Sequence, residues 1–199
     1  MSTKVIGLLG SPLSEGNTAQ LLDQALKGAS EAGCDVERIE VPFLKIKPCM
    51  EIFYCVEHET CRIQDDMQEM YRKFSELDGL IIATPVMTMG VPGALKSFMD
   101  RFQVFFMAKY LRKKPLVAEE KRTRRRCLLI SISGMNIPDV FTGLKMTVQA
   151  FCHIVDCRYA DELLIRDMDH IREIRTRPDL LKTAHDKGFE LGKALVARE

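Results

Sequence analysis

The chain has 199 residues, of which 46% are hydrophobic, and its formal net charge at neutral pH is +1. That length suffices for one complete hydrophobic core and is short for two, so we expect a single domain over residues 1–199. A net charge so close to zero gives no general reason to expect nucleic acid or an acidic membrane surface as the partner.

The first part of the chain alternates short apolar runs with amphipathic segments. Residues 4–10 predict a strand, Gly33 ends the helix that follows it, and residues 35–41 alternate as a half-buried or edge strand would. A second helix is predicted from residues 64–67, "QDDM", where Asp65 or Asp66 can cap it. The apolar stripes of these two helices are Leu21, Leu22, Ala25, Leu26 and Ala29, then Met67, Met70, Tyr71, Phe74 and Leu77.

The same alternation continues to the last helix. Residues 79–85 are apolar on both faces, as in a central parallel strand, and residues 127–133 and 159–165 predict two more strands. A third helix is predicted from Pro92, and a closing helix covers residues 178–199. The stripes of the third and fourth helices are Leu95, Phe98, Met99, Phe102, Phe105 and Phe106, then Phe141, Leu144, Val148, Phe151 and Cys152.

Five strands with intervening helices predict an α/β fold, a doubly wound five-stranded parallel sheet with helices on both faces. Two long connections interrupt the alternation. Residues 42–64 contain three of the seven cysteines, and residues 109–126 form a basic linker. Long connections inside a compact domain are usually functional or mobile.

The loop after the first strand reads "GSPLSEGNT" (10–18) and opens directly onto a helix. It fails the Walker A pattern, because five residues separate Gly10 from Gly16 and Asn17 stands where the lysine would be. The hydroxyl and amide groups that remain suit one phosphate held by neutral donors at a helix N-terminus, or else an ordinary capped turn. These groups belong to Ser11, Ser14, Asn17 and Thr18.

Two further loops follow buried strands in the same way. They begin the segments "TPVMTMGVPGALKSFMDR" (84–101) and "SGMNIPD" (133–139). Ligands of parallel sheets bind beyond the carboxyl ends of the strands, so three such loops can surround one flat ligand. The first loop would take its phosphate and the other two its ring.

The segments "GSPLSEGNTAQLL" (10–22) and "DDMQEMYRKFSELDGLIIATPVMTMGVPGALKSFMDR" (65–101) resemble the NADPH-dependent FMN reductase and iron-sulfur flavoprotein family. The resemblance covers about the first hundred residues and implies a flavodoxin-like fold that binds FMN. By that resemblance Ser11, Ser14, Asn17 and Thr18 would contact the phosphate of FMN. Pro85, Val86, Met87, Thr88, Met89 and Gly90 would border the isoalloxazine ring, and Ser133 and Gly134 would complete the ring site.

The resemblance further implies an oxidoreductase that passes electrons from NAD(P)H through the flavin to a small-molecule or protein acceptor, and a homodimer or tetramer. No side chain is needed as acid or base, so no catalytic residue is named. Two alternatives stay open: a flavoprotein electron carrier that does not use NAD(P)H, possibly with an iron-sulfur cluster, and a flavin-free scaffold of the same fold. Family members usually carry an aromatic residue where this chain has Met87, whose sulfur can lie against a flavin face or pack in the core.

Iron-sulfur members of the family carry four cysteines in the connection before the second helix, whereas this chain has Cys49, Cys55 and Cys61, with Ile52 where a further cysteine is expected. A cubane cluster requires four thiolates, so we expect no cluster unless His58 substitutes or a three-iron cluster forms. The favoured interpretation is buried thiols in a loop that packs against a neighbouring subunit.

The remaining features predict a cytoplasmic chain. The apolar run at the N-terminus is too short for an export signal or a membrane span, and an odd number of cysteines argues against a disulfide framework. The basic linker is expected to be a solvated, mobile loop, with the extra phosphate of NADPH or an acidic redox partner as the alternative. Nucleic acid is not expected there, because aromatic interleaving is limited to Tyr110. The scattered histidines form no metal motif.

Overall fold

The computed structural model describes residues 2–197. It contains one sheet of five parallel strands in the order β2-β1-β3-β4-β5, which confirms the predicted flavodoxin-like fold class. The strands are β1 (Thr3–Leu9), β2 (Cys34–Glu40), β3 (Gly79–Pro85), β4 (Arg126–Ile132) and β5 (Arg158–Ile165). The helices are α1 (Asn17–Glu31), α2 (Met67–Glu76), α3 (Gly93–Asp100), α4 (Gln103–Phe106), α5 (Glu119–Arg122), α6 (Thr142–Ile154), α7 (Met168–Ile171) and α8 (Pro178–Val196).

The helices cover both faces of the sheet, and each face has its own hydrophobic core. The apolar stripes of α2, α3 and α6 are buried against one face, and those of α1 and α8 against the other. Strand β2 lies at an edge, as its alternating sequence predicts, whereas β1, β3 and β4 are interior and almost wholly buried. No helix within residues 2–197 combines the length and the hydropathy that crossing a bilayer requires.

The third helix departs from its predicted course. The helix is interrupted after Asp100, resumes as the short α4, and continues as a π-helical turn over Met107–Leu111. Because the interruption rotates the chain, Phe106 does not continue the buried stripe and is exposed, whereas Phe98, Phe102 and Phe105 pack in the core.

The basic linker is only partly the solvated loop that its composition predicts, since Lys113, Lys114 and Arg124 are exposed but other cations are not. Arg125 is buried, with Nη1 donating to the carbonyl of Val155 over 2.7 Å and Nη2 donating to the carbonyl of Phe74. Lys121 donates to the carbonyl of Glu76 and to Asp78. These cations satisfy carbonyls at the ends of neighbouring elements, so they act as internal caps and fix the linker against the fold.

Helices α1 and α8 cross at two glycines that leave no room for a side chain. A Cβ atom on Gly28 would lie 2.1 Å from the carbonyl oxygen of His185, and one on Gly188 would lie 1.9 Å from that of Ala25. The backbones of the two helices therefore touch at this crossing.

We expect Gly188→Ala to lower the free energy of unfolding by about 1–3 kcal/mol, because the added methyl group must push two backbones apart. Urea unfolding followed by circular dichroism measures the change. Gly93→Ala is the matched control, since its added Cβ meets no described atom within 4 Å apart from its own chain neighbours and helix backbone. A loss of stability in the control as large as that in Gly188→Ala would show that close packing at the crossing is not the cause.

Candidate functional site

The carboxyl ends of β1, β3 and β4 lie side by side at one edge of the sheet, so three loops emerge there together. They cover residues 10–16, 86–92 and 133–141. The first is fixed to the next strand by the Gly10 N–H, which donates to the carbonyl of Ala83 over 2.8 Å. Strands β1 and β3 lead to helices on opposite faces, and ligands of doubly wound sheets bind in the crevice at such a switch point.

The first loop presents the N-terminus of α1 without a side-chain cap. Ser11 is buried, and its Oγ accepts the N–H of Leu13 over 3.2 Å. Helix α1 begins after Gly16, with no side chain of residues 2–197 capping it and no acidic residue in its first turn. Thr18 is buried in that turn. The free N–H groups and the positive end of the helix dipole make this loop suited to an anion.

Asn17 plays a structural part that its sequence context does not reveal. Its Nδ2 donates to the carbonyl of Arg172 over 2.6 Å, and its Oδ1 accepts the N–H of Ile174 over 2.9 Å. Both polar atoms of the side chain are therefore used to hold the segment before α8 against α1. The backbone N–H of Asn17, at the first position of the helix, still belongs to the anion-binding turn.

Ser14 contacts two charged residues of β2 that sequence reasoning missed. Its Oγ donates to the Glu40 carboxylate, and its carbonyl accepts Nη2 of Arg38 over 2.5 Å. The same Nη2 contacts Glu40 Oε1 at 2.9 Å, and Nη1 contacts both carboxylate oxygens of Asp23 on α1, the nearer at 2.8 Å. Arg38 and Glu40 share one face of the strand because they are two residues apart. The two-residue spacing of these charges, and the end of their strand beside the first loop, are the sequence features from which their contact with Ser14 could have been predicted.

The second loop is a tight hairpin with strained backbone. Met87 and Gly90 exchange two backbone hydrogen bonds of 3.0 Å, and the residues between them, Thr88 and Met89, have φ of 49° and 59°. Two successive positive φ angles define a type I′ turn, which normally contains glycine, asparagine or aspartate. Strain of this kind clusters at functional sites. The turn projects the half-exposed side chains of Met87 and Met89 at the carboxyl edge.

The rest of this predicted ring segment lies at the end of β3. Pro85 and Val86 are half-buried, and the N–H of Val86 donates to the carbonyl of Ile132 over 2.9 Å. The turn also lies against the first turn of α6, where a Cβ on Gly143 would be 2.7 Å from the Met89 carbonyl oxygen. Neighbouring elements therefore hold the turn in place from two sides.

The third loop uses its first residues for internal contacts. Ser133 is buried, its N–H donates to the carbonyl of Ile165 over 2.8 Å, and its carbonyl accepts the N–H of Met168 over 3.0 Å. At Gly134, a Cβ would lie 2.4 Å from a carboxylate oxygen of Asp169. Farther along the same loop, the side chains of Met135 and Ile137 are exposed at the carboxyl edge, and no periodic pattern in the sequence marks them.

A cavity of about 390 Å³ lies between the connection over residues 42–64 and the chain at Asp100–Met107, and Cys49, Cys55, Cys61 and Ile52 are among the side chains that line it. The three cysteines are half-buried rather than buried, and all seven cysteines of the chain are free thiols. Burial, the largest influence, raises the pKa of the Cys55 thiol. Within residues 2–197, no group of three or more His, Cys, Asp or Glu side chains is placed to hold a metal ion. This donor set does not fit a four-thiolate cluster.

His58, the candidate for a fourth ligand, is engaged elsewhere. Its ring stacks on that of Tyr54 with centroids 3.7 Å apart, and its Nδ1 lies 3.0 Å from the Tyr54 carbonyl oxygen. Arg112 fixes the same turn by donating to the carbonyls of Cys55 and His58. The turn is thus held by linker and backbone contacts that need no metal.

A buried ion pair anchors the start of α2 and the beginning of this connection. Arg101 contacts Asp65 through both carboxylate oxygens, at 2.6 and 3.1 Å, and also donates to the carbonyl of Lys47 over 2.7 Å. The side chains of Arg101 and Asp65 are 1% and 7% exposed. Burial acts to raise the pKa of Asp65, but Arg101 and the N–H groups of Lys47 and Met67 outweigh it and hold that pKa below its ordinary value.

The sequence of the chain is similar to those of a known protein family. The sequence model of the NADPH-dependent FMN reductase family matches residues 3–136. An iron-sulfur flavoprotein of Methanocaldococcus jannaschii is 40% identical over 111 residues, which cover 56% of this chain and 58% of the relative. One of Archaeoglobus fulgidus is 38% identical over 106 residues, covering 53% and 54%. The chain thus spans somewhat more than half of the length of these curated relatives.

Solved structures of the same architecture are more distant in sequence. A flavone reductase superimposes with a TM-score of 0.71 at 19% identity, covering 98% of this chain and 63% of the other. An NAD(P)H:quinone oxidoreductase from Methanothermobacter marburgensis superimposes with a TM-score of 0.70 at 17% identity, covering 96% of both chains. At these identities the likeness establishes the fold alone.

Proposed function

The chain belongs to the NADPH-dependent FMN reductase family, and from this premise we propose that it is an FMN-binding oxidoreductase whose flavin site lies at the carboxyl edge of β1, β3 and β4. The observation that carries the proposal is the uncapped N-terminus of α1 in a loop of small hydroxyl residues, beside a strained methionine turn. FMN, when bound, supplies the chemistry of hydride acceptance and electron release.

The phosphate of FMN would be held at the first loop. The N–H groups of the first turn of α1 and the hydroxyls of Ser11, Ser14 and Thr18 would donate to it, and the helix dipole favours its charge. Asn17 would contribute its backbone N–H and would position the loop through its contacts with residues 172–174.

The isoalloxazine ring would lie along the other two loops. The turn at residues 87–90 would place Met87 and Met89 against the ring, and sulfur contacts with aromatic faces are favourable. Backbone groups of residues 85–90 would meet the polar edge of the ring. Ser133 and Gly134 would support the third loop from beneath, while the exposed Met135 and Ile137 would border the ring and limit access of water.

We further infer that NAD(P)H is the electron donor, that a small molecule or a redox protein is the acceptor, and that the protein works in the cytoplasm as a homodimer or tetramer. Half-exposed apolar side chains around the carboxyl edge suit a site that is completed by a substrate or a second subunit. In the second and third loops, along which the ring would lie, Asp139 at the end of the third is the one titratable side chain, so no acid or base is assigned.

Reconstitution tests this function directly. The anaerobically purified chain is incubated with FMN and desalted, and its visible spectrum is recorded before and after addition of NADPH or NADH. We expect retained flavin absorbance that bleaches with a reduced nicotinamide. Retention without bleaching would overturn the use of NAD(P)H and select an electron carrier, and a colourless protein would overturn the flavin site itself.

A further inference from the structure

A carboxylate of the chain accepts a hydrogen bond from one of the donor groups of the first loop. The Oγ of Ser14 donates to Glu40 at the end of β2, and Glu40 is held there by Arg38 at 2.9 Å. Arg38 in turn reaches the loop itself through the carbonyl of Ser14. The loop that is best suited to an anion therefore already binds one, and that anion is part of the chain.

The charges around this contact do not favour a second anion. Arg38 is the cation, and it is shared between two carboxylates, those of Glu40 and Asp23. A phosphate approaching Ser14 would thus meet a carboxylate at hydrogen-bond distance and a guanidinium whose charge is already offset.

We propose that Glu40 is an internal competitor for the phosphate group of FMN, and that its carboxylate must leave Ser14 before the phosphate can use that hydroxyl. This inference rests on the proposed flavin site. Arg38 keeps the displaced carboxylate at the edge of the loop, so Glu40 lowers the affinity for any phosphate monoester in a graded way. Its effect is confined to ligands that carry the phosphate, because the ring lies along the other loops.

The Glu40→Gln variant tests the proposal as a gain of affinity. Glutamine keeps the length of the side chain and can still accept from Ser14, but it carries no charge. We expect FMN to bind about tenfold more tightly, the scale of one lost charge repulsion near a partly exposed site. The affinity for riboflavin, which has the same ring and no phosphate, should not change.

Glu37→Gln is the matched control. Glu37 lies on the same strand but faces the other side of the sheet, where it pairs with Lys73 of α2. Dissociation constants for FMN and riboflavin are measured by quenching of flavin fluorescence for the wild type, Glu40→Gln and Glu37→Gln. Glu40→Ala, also uncharged, serves as a second variant should glutamine disturb folding, and thermal unfolding of each protein verifies that it is folded.

The outcomes separate this inference from the function on which it rests. Tighter FMN binding confined to the Glu40 variants supports it. If the wild type binds FMN but the folded Glu40 variants bind it equally or more weakly, the competitor inference is overturned while the flavin site stands. Glu40 would then serve to shape the loop. Failure of all the folded proteins to bind FMN overturns the flavin site and the competitor together.

Discussion

The Ser11→Asp variant is expected to bind FMN at least about 100-fold more weakly than the wild type, because a carboxylate in the first loop repels a phosphate dianion. Ser11 is buried within that loop, and its Oγ accepts the N–H of Leu13. Aspartate forms the same local hydrogen bond, so the turn should persist. Fluorescence titration with FMN measures the change.

Ser11→Asn is the control, since it matches aspartate in shape and carries no charge. Riboflavin should bind the aspartate variant as it binds the wild type. FMN affinities of the two variants within about threefold of each other would contradict a phosphate at this loop. Ser11 suits this test better than Asn17, because a change at Asn17 would also break its contacts with Arg172 and Ile174.

Asp65→Asn is expected to lower the free energy of unfolding by about 3–5 kcal/mol, the usual effect of removing one partner from a buried ion pair. The substitution leaves the guanidinium of Arg101 buried without its counter-charge. It also weakens the contacts that Asp65 makes with the N–H groups of Lys47 and Met67. Chemical denaturation of the wild type and the variant measures the difference.

Asp100→Asn provides a matched comparison one residue away from Arg101. Asp100 pairs with Lys96 on the exposed face of α3, with the two side chains 47% and 50% exposed. Pairs of that kind contribute about 0.3–0.5 kcal/mol. Similar losses of stability in the two variants would mean that burial of the Arg101–Asp65 pair is not what matters.

The same pair predicts the sign of a pH dependence. The pKa of Asp65 is lower in the folded chain than its ordinary value, so the carboxylate contributes stability above the ordinary aspartate range. That contribution is lost as the pH falls through the lower pKa of the folded state. The stability gap between the wild type and Asp65→Asn should therefore narrow toward acid pH. A constant gap over an acid titration followed by urea unfolding would contradict this assignment.

The parts of the fold that follow from local patterns were predictable. The buried strands β3 and β4 are continuous apolar runs, and the stripes of α1, α2 and α6 follow helical spacing, so their burial could be derived from residue type alone. The three loops could be brought to one edge for the same reason, because all strands of a parallel sheet point the same way.

The features that could not be predicted from the sequence depend on contacts between residues that are far apart along the chain. The linker cations Lys121 and Arg125 look like solvated charge, but they cap carbonyls that lie more than 25 positions away along the chain. Glu40 reaches Ser14 from another element, and Asn17 reaches residues 172–174 across 155 positions and more. Composition carries no signal for such pairs, since polar side chains find these partners only once the strands are in register.

The glycine crossing of α1 and α8 bears on the order in which the protein assembles during synthesis. Gly28 lies against the backbone of His185, and Gly188 lies against that of Ala25, and closing so long a loop is costly before other contacts exist. A ribosome releases α1 and the first three strands well before α8 has been made. The part of the sheet face that α8 covers therefore stays exposed until residue 196 has emerged, and we expect the nascent chain to depend on chaperones during that interval.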